Sequence, residues 1–349
     1  MKKTGMKRAA ALLLLLALLS GYGAVSAETL TLSFVGDCTL GSPYQYRTYG
    51  SSYVSRIGEA GLDYPFSKSV DLFSADDLTV ANCEVVFTDR KPKNSDNTMA
   101  LSGPKEFAEI FRLGGVEAVN ISNNHALDYG SSGREDTIAA LESFDIGYFG
   151  EDWLYETEVK GVKIGIVGHT YGITKKTMKQ YQEQIDQLRA DGCDFIIASV
   201  HWGREDNYNL NAQQKDYGTQ LIDMGADLVF GHGSHTLQPI QYYNGHLIMY
   251  STGNFTFGAN LQPKDMDTAV LQVTLEVAED GTVTTAALRA IPYRVNGAKD
   301  FCPYPYTEEE DLLRVWKKLV FKKSTKMDSG LPESFLTTGY ADFRAAEEE

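Results

Sequence analysis

The chain has 349 residues, 43% of them hydrophobic, and a formal net charge of −15. That apolar content can fill one large core, as a single domain or a domain with an appendage. An acidic chain without a basic stripe is excluded as a charge-driven binder of nucleic acid or of anionic membrane surfaces.

Lys2, Lys3, Lys7 and Arg8 precede an unbroken apolar run from Ala9 to Leu19, and Val25-Ser26-Ala27 gives a small-residue cleavage pattern. Residues 1–27 therefore read as a secretory signal cut after Ala27. An uncleaved N-terminal anchor is the alternative, although the run falls short of the roughly 20 residues of a full span. No cysteine follows the run closely, which argues against a lipoprotein. Cleavage leaves 28 basic against 47 acidic side chains, a charge of −19. Such an exterior repels a polyanionic substrate unless metal ions or a local basic patch invert the field at the site.

Leu30 to Val35 alternates and reads as a first strand ending at Gly36-Asp37. Residues 43–64, rich in Tyr, Ser and Gly, read as a loop, and Phe66 to Phe73 as a short helix. A strand from Leu78 to Ala81 ends at Asn82, and residues 88–102 read as a surface loop. Pro104 opens a helix through Leu113 that Gly114-Gly115 stops. The run Ala118 to Ile121 leads into Asn123-Asn124-His125, and a helix follows from Gly133 to Phe144. Gly161 marks a hairpin turn within Val159 to Val167. Met178 to Ala190 and Gln213 to Met224 read as helices. Strands are expected at Phe195 to Val200, Leu228 to Phe230 and Leu247 to Tyr250. Residues 268–277 and 282–290 form a hairpin around Glu279-Asp280-Gly281. Thr307-Glu308-Glu309-Glu310 is a capping box opening a helix to Lys323. The alternation of strands and helices predicts an α/β fold with mixed sheets. The expected domains are the signal at 1–27, a main domain at 28–300, and a C-terminal helix with an acidic tail at 301–349.

Five polar clusters stand at the ends of the apolar runs: Gly36-Asp37, Asn82-Cys83-Glu84, Asn123-Asn124-His125, His201-Trp202-Gly203 and Gly231-His232-Gly233-Ser234-His235. Open α/β sites gather ligands at one rim in this way. Asp37 could instead cap a turn, Asn82 and Glu84 could be surface residues, and His201 could cap a helix. Together, carboxylate, imidazole and amide oxygens suit Zn, Mn, Fe or Mg. Two such ions would activate a water and clamp a phosphoryl group. His169, His246 and Trp202 read as structural residues. The four cysteines have no CxxC spacing, so a zinc ribbon is not expected. Cys38 and Cys83 read as small buried side chains on neighbouring strands, with a disulfide between them as the alternative.

The ordered motifs resemble a known family. Leu32-Ser33-Phe34-Val35-Gly36-Asp37, Ala81-Asn82-Cys83-Glu84, Ser122 to Gly130, His201-Trp202-Gly203, Gly231 to Pro239 and Tyr250 to Phe255 are similar to the successive motifs of the CapA family of capsule-synthesis and poly-γ-glutamate-biosynthesis proteins. The resemblance spans roughly residues 30–257 and implies a calcineurin-like metallophosphoesterase fold. That fold is a four-layer αββα sandwich of mixed sheets, here with a C-terminal helical appendage. It further implies metal ligation by Asp37, Glu84, Asn124, His201, His232 and His235, and a catalytic role for His125. Asn82, Asn123 and Asn254 would contact substrate or support the ligands. The cofactor implied is one or two divalent ions, Mn, Zn or Fe.

Two departures stand out. Where the superfamily has a His two positions after its first Asp, this chain has Thr39, and Gly233-Ser234 puts two residues between the last histidines instead of one. The first metal position is thereby depleted, and one metal, an altered metal or lost hydrolysis all follow as options. The resemblance implies an exported, cell-surface protein working in biosynthesis or export of an anionic polymer. Its partners would be that polymer or a membrane-bound synthase complex, with no nucleic acid. An uncleaved N-terminus would hold it at the membrane. A non-catalytic scaffold and a secreted phosphoesterase are the alternatives.

Overall fold

Twelve consecutive residues, Glu28–Thr39, form the strand around which one sheet of the computed structural model is assembled. The structure describes residues 28–92, 98–170, 173–295, 300–322 and 327–344, so the expected signal and the acidic tail lie outside the described residues. On one side Glu28–Thr39 runs parallel to Leu78–Cys83, which is followed outward by Ala118–Asn120 and Gly147–Phe149, also parallel. On the other side it pairs antiparallel with Asp267–Val277, itself antiparallel to Val283–Arg294. The second sheet runs Ile240–Tyr243, His246–Met249, Leu228–His232, Phe195–His201, Val162–His169, Tyr155–Val159. Its four inner strands are parallel and its two edges antiparallel.

The alternation of side chains along each strand builds the layers. Leu30, Leu32 and Phe34 from the first sheet meet Ile197, Phe230 and Met249 from the second in one buried cluster. The Phe34 and Phe230 ring centroids are 5.2 Å apart. Full burial of such side chains contributes about 1.5–3 kcal/mol each. The opposite face of the first sheet, with Ala81 and Val119, packs under Ile57, Phe111 and Leu141 of its helices. The outer face of the second, with Ile196, Ala198 and Val229, packs under Tyr181, Ile185 and Leu221. The order is helix, sheet, sheet, helix: the αββα sandwich. Near the C-terminus, helix Glu309–Lys318 brings Val315 and Trp316 to the cluster between the sheets, and strand Tyr340–Asp342 pairs with Val283–Arg294.

Several local readings change. Residues 53–60 are helix rather than loop, because Ser52 Oγ accepts from Ser55 N at the start and Tyr53 and Ile57 share a buried face. The helix expected from Phe66 to Phe73 splits into Tyr64–Phe66 and Val70–Phe73. Ser69 Oγ donates to the Phe66 carbonyl across the break. Glu308, not Thr307, caps the last long helix, without a side-chain hydrogen bond, and that helix stops at Lys318. Cys38 and Cys83 lie opposite each other in register, and both are buried and free, as Cys193 and Cys302 also are. Both remain small buried side chains on neighbouring strands.

Candidate metal centre

The pairing of Glu28–Thr39 with Leu78–Cys83 slips between Phe34 and Asp37. Up to Phe34 the strand feeds the core between the sheets; from Val35 it feeds the helix side. An irregularity of this kind re-aims side chains beside a site. Gly36 permits it, since a Cβ there would lie 1.8 Å from the Gly253 carbonyl oxygen. Asp37 N donates to that same oxygen at 2.8 Å. Asp37 is thus fixed at the sheet end, fully buried.

The other strands deliver their polar ends to the same place. Glu84 follows Leu78–Cys83, and its N–H donates to the Cys38 carbonyl at 3.0 Å. His201 and His232 end adjacent parallel strands as register partners, with their Nδ1 atoms 2.9 Å apart. His232 Nε2 lies 2.9 Å from Ser199 Oγ. His235 stands on the following loop in the left-handed region, at φ 56°, a costly conformation for a non-glycine residue. It puts Nδ1 3.0 Å from Asp37 Oδ2 and Nε2 3.9 Å from Glu84 Oε1. Among the described residues two donor groups result: Asp37, His201 and His232; and Asp37, Glu84 and His235. Within each, one ligand atom per residue falls within 4.8 Å of the others.

The chemistry of this donor set fits a divalent cation. Both carboxylate oxygens of Glu84 are buried with no hydrogen-bond partner, which is costly for a charged group unless a cation compensates. Burial, and then the charge of Asp37, pushes the Glu84 carboxyl up to about 8. Burial also raises Asp37, but the hydrogen bond and charge of His235 and the charge of His201 outweigh it and leave Asp37 below the usual range. Burial opposes charge on His235, yet Glu84 and Asp37 push it up to about 10. Burial drops His232 to about 3, and burial plus His232 takes His201 well below its ordinary value. Neutral imidazoles at His201 and His232 are the form that binds metal.

Asparagines brace the ligands. Asn82 Nδ2 donates to Asp37 Oδ1 at 2.8 Å, and Asn82 Oδ1 accepts from Asn120 at 2.8 Å and from Asn123 at 3.3 Å. Asn254 Oδ1 lies 2.9 Å from His235 Nδ1, and its Nδ2 donates to the His235 carbonyl. Asn124 is placed differently from the other expected ligands: it is exposed, at the rim of the centre. It lines a cavity of about 340 Å³ together with Glu84, His125, His235 and Asn254. His125 Nδ1 is 2.7 Å from Asp128 Oδ2, and Asp128 also accepts from Leu101 N. Burial opposes charge on His125, but the Asp128 hydrogen bond, with Glu84, raises it overall. Thr39 is buried and its Oγ1 has no partner.

Sequence reasoning missed Asp128, Asn120, Ser199 and Glu205. Asp128 was findable as an acid three residues after the His, and Asn120 as a polar break in the run Ala118 to Ile121. Ser199 carries no signal within its strand. Glu205 lines the cavity from the loop after His201 and has no periodic pattern to mark it. Outside the centre, His169 bonds Gln184 and Glu151, His246 contacts the Asp227 carbonyl, and Trp202 stacks on Tyr250.

An αββα sandwich whose strand ends converge two carboxylates and three imidazoles defines a metallophosphoesterase-like protein. The family model described as "Bacterial capsule synthesis protein PGA_cap" matches residues 31–259, a span that includes every residue of the centre, and the chain belongs to this family. It is 28% identical to a Bacillus anthracis protein named "Capsule biosynthesis protein CapA", over 84% of this chain and 73% of that one. It is 30% identical to "PGA biosynthesis protein CapA" of Bacillus subtilis (strain 168), over 72% and 69% of the two chains. Among solved structures, TT1561 of Thermus thermophilus aligns at 10% identity with a TM-score of 0.39, over 70% of this chain and 94% of that one.

Proposed function

We propose that this chain is an exported, metal-binding protein of capsule or poly-γ-glutamate biosynthesis whose centre performs hydrolysis or transfer on an anionic cell-surface polymer or its precursor. The observation that carries this reading is the sharing of Asp37 by two donor groups, at a cavity that also holds His125. Asp37, Glu84 and His235 would hold one cation and Asp37, His201 and His232 a second; Asn124 at the rim stays a candidate for either ion or substrate. A bound divalent ion, Mn, Zn or Fe, would supply Lewis acidity toward a phosphoester or amide oxygen. His125, oriented through Nδ1 by Asp128, would hold a proton on Nε2 for the leaving group. Asn82 and Asn254 keep Asp37 and His235 in place. The names of the Bacillus relatives support the polymer assignment.

The basic, apolar and small-residue order of residues 1–27 supports export, with retention at the membrane if it is not cleaved. Among the described residues no helix is long and apolar enough to cross a membrane. A polymer synthase complex in the membrane is the partner this placement suits. The test is metal analysis of purified protein beside His201→Ala and His232→Ala. Substoichiometric metal in the variants supports the centre; full occupancy in both would overturn it. Binding without turnover is the second reading, favoured by Thr39 at the position of a ligating His. A phosphoester or γ-glutamyl substrate turned over by the wild type but not by His125→Ala decides against it.

A further inference from the structure

We propose that a lysine-walled cavity beside the metal centre is a second subsite, which binds the carboxylate groups of a polyanionic chain. The cavity has a volume of about 640 Å³, within the roughly 300–1,000 Å³ typical of ligand pockets. Lys215, Lys317, Lys318 and Lys322 line it, and none of its described lining residues is acidic. In a chain with 47 acidic and 32 basic residues, a recess lined by four lysines and by no described acidic residue is a departure from the rest of the chain.

The lysines are not equivalent. Lys318 Nζ donates to Asp265 at 2.7 and 2.8 Å, lies 2.8 Å from Asp267, and stands over the Tyr208 ring at 5.3 Å. It is neutralised and builds the wall. Lys215 and Lys317 are exposed and make no ion pair among the described residues. Their charge is directed to whatever enters.

The cavity adjoins the metal centre through two shared loops. Glu205 and Asp206 line the cavity of the metal centre, and Tyr208 to Leu210 line the lysine cavity. His235 faces the first, and Leu237 and Pro239 the second. Hydrogen bonds hold the loops together: Gln238 Nε2 and Thr236 Oγ1 both donate to the Asn207 carbonyl, and Gln214 Nε2 donates to Gln238 Oε1. A chain seated on the lysines would therefore lie beside the loops that wall the metal centre. Lys317, Lys318 and Lys322 lie beyond residue 259, where the family match ends.

The chemistry favours carboxylates on a thin, flexible chain. Lysine is a compact point charge suited to single carboxylates, whereas no arginine fork for phosphate lines the cavity. A duplex or bilayer would also meet the acidic remainder of the surface, which repels it. The choice of a polycarboxylate rests on the polymer reading above.

The test is fluorescence anisotropy with labelled poly-γ-glutamate as the probe, on the full chain, wild type and Lys215→Gln/Lys317→Gln. Both positions are exposed, so folding is checked by thermal midpoint and metal content. The expected result is binding about tenfold weaker in the double variant, with a shallower salt dependence and unchanged metal content. Equal affinity of wild type and double variant would overturn the proposal, and so would polyphosphate or anionic vesicles binding as tightly as poly-γ-glutamate. Wild-type protein that binds polymer but takes up no metal would sink the metal-centre reading and leave the subsite standing.

Discussion

Asp37 Oδ2 lies 3.0 Å from His235 Nδ1, joining the first strand to a loop near residue 235, and Asp37 is the one residue common to both donor groups. Glu84 Oε1, 3.7 Å from His201 Nε2, gives a second and longer contact between the two halves, but no other residue donates to both groups. Asp37→Asn keeps the shape and an oxygen for Asn82, so the fold should survive with an unchanged circular dichroism spectrum. Metal content measured by mass spectrometry should fall at least about tenfold at both positions together. Retention of one full equivalent would show that the groups act independently.

Metal uptake should depend on pH in a definite direction. With no cation present, Glu84 is pushed up to about 8 and His235 to about 10, so both hold protons near neutrality. Binding requires their release, and affinity should rise from about pH 6 to about pH 9. His201 and His232 are already neutral across that range and add no slope. Competition against a chromophoric chelator at several pH values measures this; a flat profile contradicts the assignment of Glu84 and His235 as ligands.

The Asp128 contact predicts a positioning effect on His125. Asp128→Asn removes the carboxylate 2.7 Å from Nδ1 but leaves an oxygen for Leu101 N. Once a turned-over substrate is in hand, kcat should fall about tenfold to a hundredfold with metal content unchanged. Asp128 raises the His125 pKa. Its loss should therefore move the alkaline limb of the pH profile to lower pH, because His125 acts in its protonated form. A rate loss without that movement would mark Asp128 as structural only.

Gly36→Ala should destabilise the whole fold by about 3 kcal/mol, because the new Cβ meets the Gly253 carbonyl oxygen at 1.8 Å. Gly58→Ala is the control: it lies in helix Tyr53–Ala60 with nothing within 4 Å. It should stabilise by about 0.5–1 kcal/mol. Denaturant midpoints for the pair decide the matter.

Strands were legible where apolar alternation ran unbroken, as at Leu30 to Phe34 and Phe195 to Val200, because a buried strand leaves few alternatives to such a pattern. The convergence of Asp37, Glu84, His201, His232 and His235 was legible from their places at strand ends and from the family resemblance. The slip that aims Asp37 was not, since it depends on Gly253, which approaches from far along the chain. Helix Tyr53–Ala60 was hidden because it is only eight residues long and lies in a stretch rich in Tyr, Ser and Gly that reads as loop, although Tyr53 and Ile57 share a buried face. Asn123 and Asn124 are adjacent in sequence, yet one braces Asn82 and the other faces solvent, a division set by the turn after Ala118–Asn120. Thr39 stands where the resemblance implies a ligating His, and sequence alone could not show His235 reaching Asp37 from a left-handed loop residue.

Phe34 has Val80 as its register partner on one side and Leu271 on the other. The strand that presents Asp37 is flanked on that side by a segment made only when most of the chain has emerged from the ribosome. Early contacts can form between Leu78–Cys83 and Glu28–Thr39, but the sheet around Asp37 closes late. The donors themselves all precede residue 236, so there is an interval of synthesis in which they have emerged and the strands that flank Asp37, Asn254–Phe257 and Asp267–Val277, have not. If the chain is threaded across a membrane unfolded, that interval leaves the choice of metal to the compartment where it finishes folding.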